Sequence, residues 1–187
     1  MAYNNNGKRP LFYSALMSFI LILVFVGIFF VGLKSRIESN ANKNDVSEAE
    51  RLLSVNLETD YPKGPEAVVT YYYEIFSYMY GGNSDVTYTS ELVWQMRSLF
   101  TQELMSLNPY EMQKENALNE IVESQTTGVK ILDARVENAY YDELNNNIAY
   151  VEVKEYWTGI RNKSVNYALY LEDGKWKIQR WDSKSVD

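Results

Sequence analysis

The longest apolar run of the sequence covers 23 residues, from Leu11 to Leu33, and contains no charged side chain. A helix of that length, at about 1.5 Å per residue, crosses a hydrocarbon core roughly 30 Å thick. Basic residues flank the run, with Lys8 and Arg9 before it and Lys34 after it. A cleaved signal peptide would need a shorter apolar core and a small-residue cleavage site, and the run has neither. The pattern predicts a short basic tail over residues 1–10 and a transmembrane helix over residues 11–33.

The orientation of this helix is not set by the positive-inside rule alone, because basic residues lie on both sides of it. The tail before the span is short. All 25 Asp and Glu residues follow the span. The 18 Lys and Arg residues also follow it, except for Lys8 and Arg9, so the part after the span is acidic. We therefore expect a single-pass protein of the cell membrane with a cytoplasmic N-terminus and its C-terminal domain outside the cytoplasm.

Residues 34–60 are polar and rich in Asn and Glu, a composition typical of a stalk. Within this stalk, Ser47-Glu48-Ala49-Glu50 has the spacing of a capping box and is followed by two leucines. This spacing predicts a short amphipathic helix over about Ser47 to Val55. The folded domain is expected over residues 61–187.

Three stretches of that domain place apolar residues three or four positions apart, which predicts helices with one buried stripe each. The first runs from Pro65 to the Gly81-Gly82 pair, and the second covers about Ser90 to Leu107. The third begins at Pro109 and ends near Gln125. The residues expected to face the core are Val68, Tyr72, Ile75, Phe76, Met79, Leu92, Met96, Leu99, Phe100, Leu104, Leu107, Ala117, Leu118, Ile121 and Val122.

After Gly128 the period of the apolar residues changes from 3.6 to 2, which predicts strands. We expect four of them, over Val129–Tyr141, Ile148–Trp157, Ser164–Glu172 and Lys175–Trp181. Asp173-Gly174 is the strongest hairpin signal in the chain. The residues expected to face inward are Leu132, Ala134, Val136, Tyr140, Ala149, Val151, Val153, Trp157, Val165, Tyr167, Leu169, Leu171, Trp176 and Ile178. The predicted fold class is α+β, with three helices on one face of a four-stranded antiparallel meander.

The order of three helices and a meander that ends in Asp173-Gly174-Lys175-Trp176-Lys177-Ile178 resembles the nuclear transport factor 2-like superfamily, whose cone-shaped fold is cystatin-like. The chain is also similar to an uncharacterised family of single-pass membrane proteins of Gram-positive bacteria. That second resemblance rests on Tyr61-Pro62, Pro65, Val68-Val69, Tyr72, the segment 99–105 and Asn108-Pro109. Together the resemblances cover about residues 61–181 and imply a curved sheet. They leave activity open, because the superfamily contains enzymes, ligand binders and scaffolds.

Composition narrows the chemistry that the domain could perform. The sequence has no Cys and no His, so it lacks the commonest general base, a thiol nucleophile and the usual zinc ligands. A net charge of −7 argues against nucleic acid as a partner. We expect no cofactor and no metal site, name no catalytic residue, and favour a protein that is not an enzyme.

Aromatic residues are the candidates for a binding site, since the chain has 16 Tyr, 4 Trp and 7 Phe. Tyr72, Trp94, Tyr167 and Trp176 are the candidate pocket residues, and packing in the core is the alternative for each of them. The run from Tyr71 to Tyr73 spreads over about 200° of a helix, so its three rings cannot share one face. Asp133 is predicted to be a solvated strand carboxylate.

Two functions from different classes follow from these patterns. The first is a membrane-anchored, non-enzymatic binding or assembly module at the bacterial cell envelope. Its partners would be the lipid bilayer, through Leu11 to Leu33, and envelope proteins. The alternative is a small-molecule-binding or isomerase/cyclase-like site inside the cone. An apolar cavity with convergent polar groups would favour the second function, and a filled interior the first. The oligomeric state is left open.

Overall fold

The sheet is an antiparallel meander with the strand order β1-β2-β3-β4. The structure is a computed structural model, and it describes residues 48–186. The strands are β1 (Lys130–Tyr141), β2 (Ile148–Thr158), β3 (Asn162–Glu172) and β4 (Lys175–Val186). Asp173 and Gly174 both have positive φ, 50° and 76°, as the tight hairpin between β3 and β4 requires. The predicted α+β class and the four-stranded antiparallel sheet are confirmed.

Helices precede the sheet along the chain and cover one of its faces. They are α1 (residues 48–53), α2 (Pro65–Tyr80), α3 (Thr89–Arg97), α4 (Gln102–Leu107) and α5 (Tyr110–Thr127), with a short 3-10 turn at Val86–Tyr88. The side chains that the helices and the sheet bury between them form one core. Its fully buried members include Val68, Ile75, Leu92, Leu99, Ile121, Ala149, Val153, Leu169 and Ile178.

The predicted second helix over Ser90 to Leu107 is wrong, because the chain breaks between α3 and α4. At the break the backbone pairs with β4 instead of continuing the helix. Ile178 N donates to Leu99 O at 2.8 Å, and Thr101 N donates to Ile178 O at 3.0 Å. The Thr101 hydroxyl then accepts from Leu104 N and caps the start of α4. The new helix turns Leu107 away from the core, and the Leu107 side chain is therefore 69% exposed.

Three other residues expected to face the core are exposed. A bulge between Ile131 and Asp133 reverses the alternation of β1, so Ile131 is buried and Leu132 is 61% exposed. Val122 is exposed because α5 buries only a narrow stripe, with Ala117 and Ile121 inward. Tyr140 is also exposed, and its ring stacks on that of Tyr150 near the end of the β1–β2 hairpin.

The packed unit extends upstream of the expected boundary at Tyr61. The helix α1 and the turn after it place Leu52 and Leu57 in the hydrophobic core. The Tyr71 hydroxyl donates to Leu52 O at 2.7 Å, and Gln95 Nε2 donates to Val55 O at 2.7 Å. This segment is therefore part of the folded unit, because α2 and α3 supply both apolar contacts and hydrogen-bond partners for it.

The predicted tail, the transmembrane helix over residues 11–33 and the first part of the stalk lie outside the described residues. Between residues 48 and 186, none of the helices combines the length and the apolar character that crossing a bilayer demands.

Candidate functional site

A cavity of about 670 Å³ lies between the helices and the sheet. This volume is in the range of roughly 300 to 1,000 Å³ that is common for small-molecule sites. One part of its lining is aromatic, and we call the following side chains the aromatic wall: Tyr72, Phe76, Tyr80, Phe100, Trp157, Tyr167 and Trp181.

The helical part of this wall comes from one face of α2. Tyr72, Phe76 and Tyr80 are spaced four residues apart, so their rings lie next to one another along the helix. The ring centroids of Tyr72 and Phe76 are 5.9 Å apart, and those of Phe76 and Tyr80 are 4.5 Å apart. Phe100 is added from the break between α3 and α4, with its ring centroid 6.1 Å from that of Tyr72.

The sheet supplies the opposite part of the wall from three adjacent strands. Trp157 comes from β2, Tyr167 from β3 and Trp181 from β4. Tyr167 and Trp181 are directly paired across β3 and β4, and their ring centroids are 6.1 Å apart. Tyr72 bridges the two sides, with its ring centroid 5.8 Å from that of Tyr167. Helix and sheet thus form one continuous aromatic surface.

A buried carboxylate, that of Glu155, also lines the cavity, and the residue is only 5% exposed. Its Oε1 accepts from the Tyr73 hydroxyl at 2.6 Å, and its Oε2 accepts from Trp157 Nε1 at 2.7 Å. The Tyr167 hydroxyl donates to the Tyr73 hydroxyl at 2.9 Å, which extends the chain of hydrogen bonds. A carboxylate has about four acceptor positions, so about two remain unused by these bonds.

The tyrosine hydroxyls around this carboxylate are held in their protonated form. Burial, followed by the charge of Glu155, raises the pKa of Tyr73 and of Tyr72. Burial also raises the pKa of Tyr167, with a further contribution from the adjacent Tyr72 and Tyr73. Groups with raised phenol pKa values stay neutral near pH 7. They can therefore donate and accept hydrogen bonds, and they are poor bases or nucleophiles.

Charges at the cavity are predominantly negative. Glu120 and Glu123 line it together with Glu155, and Lys163 is its one basic lining residue. Glu120 accepts from the Tyr80 hydroxyl at 2.8 Å. The Lys163 ammonium lies 4.7 Å from the centroid of the Trp157 ring, a cation–π geometry. None of the ion pairs between residues 48 and 186 includes Glu155.

The structure brings together two of the four candidate pocket residues. Tyr72 and Tyr167 are buried and belong to the aromatic wall. Trp94 lies outside the cavity on the exposed side of α3, is 61% exposed, and contacts only the Tyr110 ring edge-on among aromatic side chains of residues 48–186. Trp176 also lies outside it and packs against Tyr141, with ring centroids 5.6 Å apart.

Sequence reasoning missed Glu155 and Trp181. The period of two in β2 places Glu155 on the same face as Val151 and Val153, so a charged residue in an apolar series was the available signal. For Trp181 the aromatic ring itself was the available signal, with packing in the core as the alternative. A bulge opposite Ala168 and Leu169 shifts the alternation after Ile178, and only this shift turns Trp181 toward Tyr167.

The run of three tyrosines behaves differently from the single buried stripe that was expected. All three side chains are buried because α2 is covered on several sides. Tyr71 faces the α1 segment, while Tyr73 reaches Glu155. Asp133 is paired with Arg135 at 2.7 Å on the outer part of β1. Within residues 48–186, no group of three or more Asp or Glu side chains could hold a metal ion.

Comparison with known proteins gives a family and distant structural likenesses. A family model described as a domain of unknown function, DUF6715, matches residues 3–181. No curated protein matches the chain. A crystal structure of the intermembrane space region of the chloroplast protein ARC6 is similar at 14% identity, covering 71% of this chain and 98% of that one. Its TM-score of 0.35 is too low to support an argument about fold or function.

Proposed function

We propose that this chain, which belongs to the DUF6715 family, is a membrane-anchored binding module of the bacterial cell envelope that holds a small organic molecule. The observation that carries the proposal is the cavity of about 670 Å³. Ligand sites typically combine apolar and aromatic walls with a few convergent polar groups. The aromatic wall and the Glu155 carboxylate have this composition, and a filled interior would have favoured a module that acts only through its outer surface.

Placement at the membrane is supported by the uncharged apolar run from Leu11 to Leu33. An anchor of this kind confines the domain to the membrane surface and raises its effective concentration there. We propose that the domain faces outward, in keeping with its acidic composition, and that its neighbours include envelope proteins. The resemblance to the nuclear transport factor 2-like superfamily agrees with a ligand-binding role, since some of its members bind ligands in the cone.

Binding is better supported than isomerase- or cyclase-like catalysis. The hydroxyls of Tyr73 and Tyr167 are kept protonated, and both oxygens of Glu155 already accept hydrogen bonds. The chain has no His that could exchange protons near neutral pH. These groups can orient a ligand and bind its polar atoms. The phenols are poor proton acceptors, and the two hydrogen bonds of Glu155 fix its orientation, so its remaining acceptor positions suit the binding of a polar or charged ligand atom.

The proposal is tested with methionine methyl NMR on the full chain in phosphatidylglycerol nanodiscs. Met79 and Met96 line the cavity, whereas Met105 and Met112 do not, so each sample contains its own reference signals. The probes are choline and its neutral tert-butyl analogue, in which carbon replaces nitrogen. We expect at least one probe to shift the Met79 and Met96 resonances in a saturable manner and to leave Met105 and Met112 unchanged.

A matched pair of variants locates the binding. Ala117→Phe places a large ring at the cavity, and Ala139→Phe places the same ring at an exposed position of β1. Binding should be lost in the first variant and kept in the second. If neither probe gives a saturable shift at Met79 and Met96 in the unmodified chain, the cavity is not a binding site and the proposal is wrong.

A further inference from the structure

We infer that the ligand carries an organic ammonium group and that the Glu155 carboxylate is its counter-ion; the inference rests on the proposed binding function. Three observations on the cavity lead to this class of ligand. They are the net negative charge of its lining, the spare capacity of a buried carboxylate, and an aromatic wall in which one ring already contacts an ammonium.

The charge of the lining favours a cation. Three carboxylates, those of Glu120, Glu123 and Glu155, face the cavity together with the single ammonium of Lys163. Glu120 and Glu123 are exposed, but Glu155 is buried, and a buried charge is unfavourable unless an opposite charge or hydrogen bonds compensate it. Its two hydrogen-bond donors, Tyr73 and Trp157, are neutral groups. A cationic ligand would supply the opposite charge that they cannot.

The aromatic wall indicates that the cation is organic. The faces of Trp and Tyr rings attract ammonium groups, and such contacts strengthen when water is excluded. Lys163 shows this attraction inside the site, because its ammonium lies over Trp157. That ammonium does not form an ion pair with Glu155, so the acceptor positions of the carboxylate stay available.

A metal ion suits the same site poorly. Hard cations such as Ca²⁺ and Mg²⁺ require six or more oxygen ligands, several of which come from the protein or from retained water. Glu155 is the one buried carboxylate between residues 48 and 186, and aromatic rings surround it. An alkylammonium group, by contrast, can contact ring faces and a carboxylate at the same time. The cavity volume also leaves room for an organic body attached to the ammonium.

The experiment compares choline with its neutral tert-butyl analogue by the methionine methyl titration of the full chain. The two probes have nearly the same shape and differ in charge, so their affinity ratio isolates the electrostatic contribution. We expect choline to bind at least about tenfold more tightly, as one cation–π contact and one buried ion pair would produce. Glu155→Gln should remove this preference while the neutral analogue still binds.

A second variant covers the case in which Glu155→Gln alters the fold. Glu120→Gln changes an exposed carboxylate at the edge of the cavity and should reduce the preference for choline by a smaller factor. The unmodified chain gives the decisive ratio without any substitution. If the analogue binds as tightly as choline, the inference is overturned and the binding function remains. If neither probe binds, both are overturned.

The lipid supplies the remaining comparison, because an ammonium group could come from a free amine or from a lipid headgroup. Phosphatidylglycerol has no ammonium, whereas phosphatidylcholine carries the same trimethylammonium group as choline. The Met79 and Met96 resonances are therefore also recorded in phosphatidylcholine nanodiscs without added choline. If they shift there and these shifts disappear in Glu155→Gln, the lipid headgroup is the source of the ammonium group. Shifts that require added choline in both lipids would assign a free organic ammonium compound.

Discussion

Two charged side chains are buried in the described part of the chain, and their surroundings differ in kind. Arg97 is 8% exposed and lies at the end of α3. Its guanidinium donates to the backbone oxygens of Met105 and Asn108 and to the side-chain oxygen of Gln113. The three acceptors lie in α4, in the turn after it and in the first part of α5. Arg97 therefore ties α3 to the segment that follows the helix break, and its hydrogen bonds are made within the protein.

Glu155, at 5% exposure, is buried to a similar degree but retains unused acceptor positions toward the cavity. Its two hydrogen bonds orient the carboxylate and leave it without an ion pair in the described part of the chain. Burial alone therefore does not separate a structural charge from a functional one. The useful criterion is whether the buried group also lines a cavity, as Glu155 does and Arg97 does not.

The largest expected effect comes from Arg97→Met. The substitution leaves the half-buried oxygens of Met105, Asn108 and Gln113 without their donor, at about 1–3 kcal/mol for each unsatisfied group that water cannot reach. We expect a loss of about 3 kcal/mol or more in the free energy of unfolding, measured by urea titration of the full chain in mild detergent. Arg97→Lys should recover part of it. A change below about 1 kcal/mol for Arg97→Met would contradict the structural role.

High pH should weaken the Glu155 network. Because burial raises the pKa of Tyr73 and Tyr167 in the folded state, these phenols ionise earlier in the unfolded chain. Their stabilising contribution is complete below about pH 10 and is lost as the pH rises through the folded-state pKa, by about 1.4 kcal/mol per pH unit for each tyrosine. Urea titrations between about pH 9 and about pH 11, on either side of the ordinary tyrosine pKa, should show this fall in the free energy of unfolding.

The control for this pH dependence is Tyr73→Phe, which removes one of the ionising groups. Above about pH 10 the free energy of unfolding should fall less steeply with pH, by the contribution of one tyrosine of about 1.4 kcal/mol per pH unit. An unchanged slope in Tyr73→Phe would mean that other groups cause the alkaline loss of stability. It would then contradict a raised pKa of Tyr73 in the folded state.

Glu155→Gln should have a smaller effect on stability than Arg97→Met. Glutamine keeps the size of the side chain, and its oxygen can accept from Tyr73, but its amide group cannot accept from Trp157 Nε1. The loss of one hydrogen bond is expected to cost about 1 kcal/mol in the free energy of unfolding. A cost as large as that of Arg97→Met would show that Glu155 is a structural tie, and the contrast between the two charges would disappear.

The smallest effect is expected for Lys163→Gln. This substitution removes the ammonium from the face of Trp157, a contact worth about 0.5–1 kcal/mol at partly exposed sites. The free energy of unfolding should change by no more than that amount. Choline affinity should rise, since a competing cation has left a site with three carboxylates. Weaker choline binding in this variant would place the ammonium site elsewhere.

Local patterns in the sequence determined much of the fold. The spacing of Pro65 and Gly81-Gly82 bounds α2, and Asp173-Gly174 forms the tight turn between β3 and β4. The alternation of Val151 and Val153 describes the buried face of β2. These features are predictable because helix ends, tight turns and strand alternation depend on residues a few positions apart.

The candidate site could be predicted only in part for the same reason. Tyr72 and Tyr167 lie on regular stretches of α2 and β3, where periodicity identifies the buried face correctly. Trp94 shows the limit of that reasoning, since aromatic character does not reveal whether a helix face meets the sheet or the solvent. Glu155 was readable from the alternation of β2, but its role depends on Tyr73, which lies 82 positions away in the chain.

Tertiary structure alone decided the remaining features of the site. The helix break that brings Phe100 to the cavity exists because Leu99 and Thr101 pair with Ile178 of β4. The bulge that turns Trp181 toward Tyr167 depends on the register of β4 against β3. Each feature requires a hydrogen-bond partner from a distant part of the chain, and such pairing leaves no periodic trace in the sequence around it. Local patterns thus predict the elements and most of their buried faces, whereas long-range pairing sets where the elements break and which side chains meet.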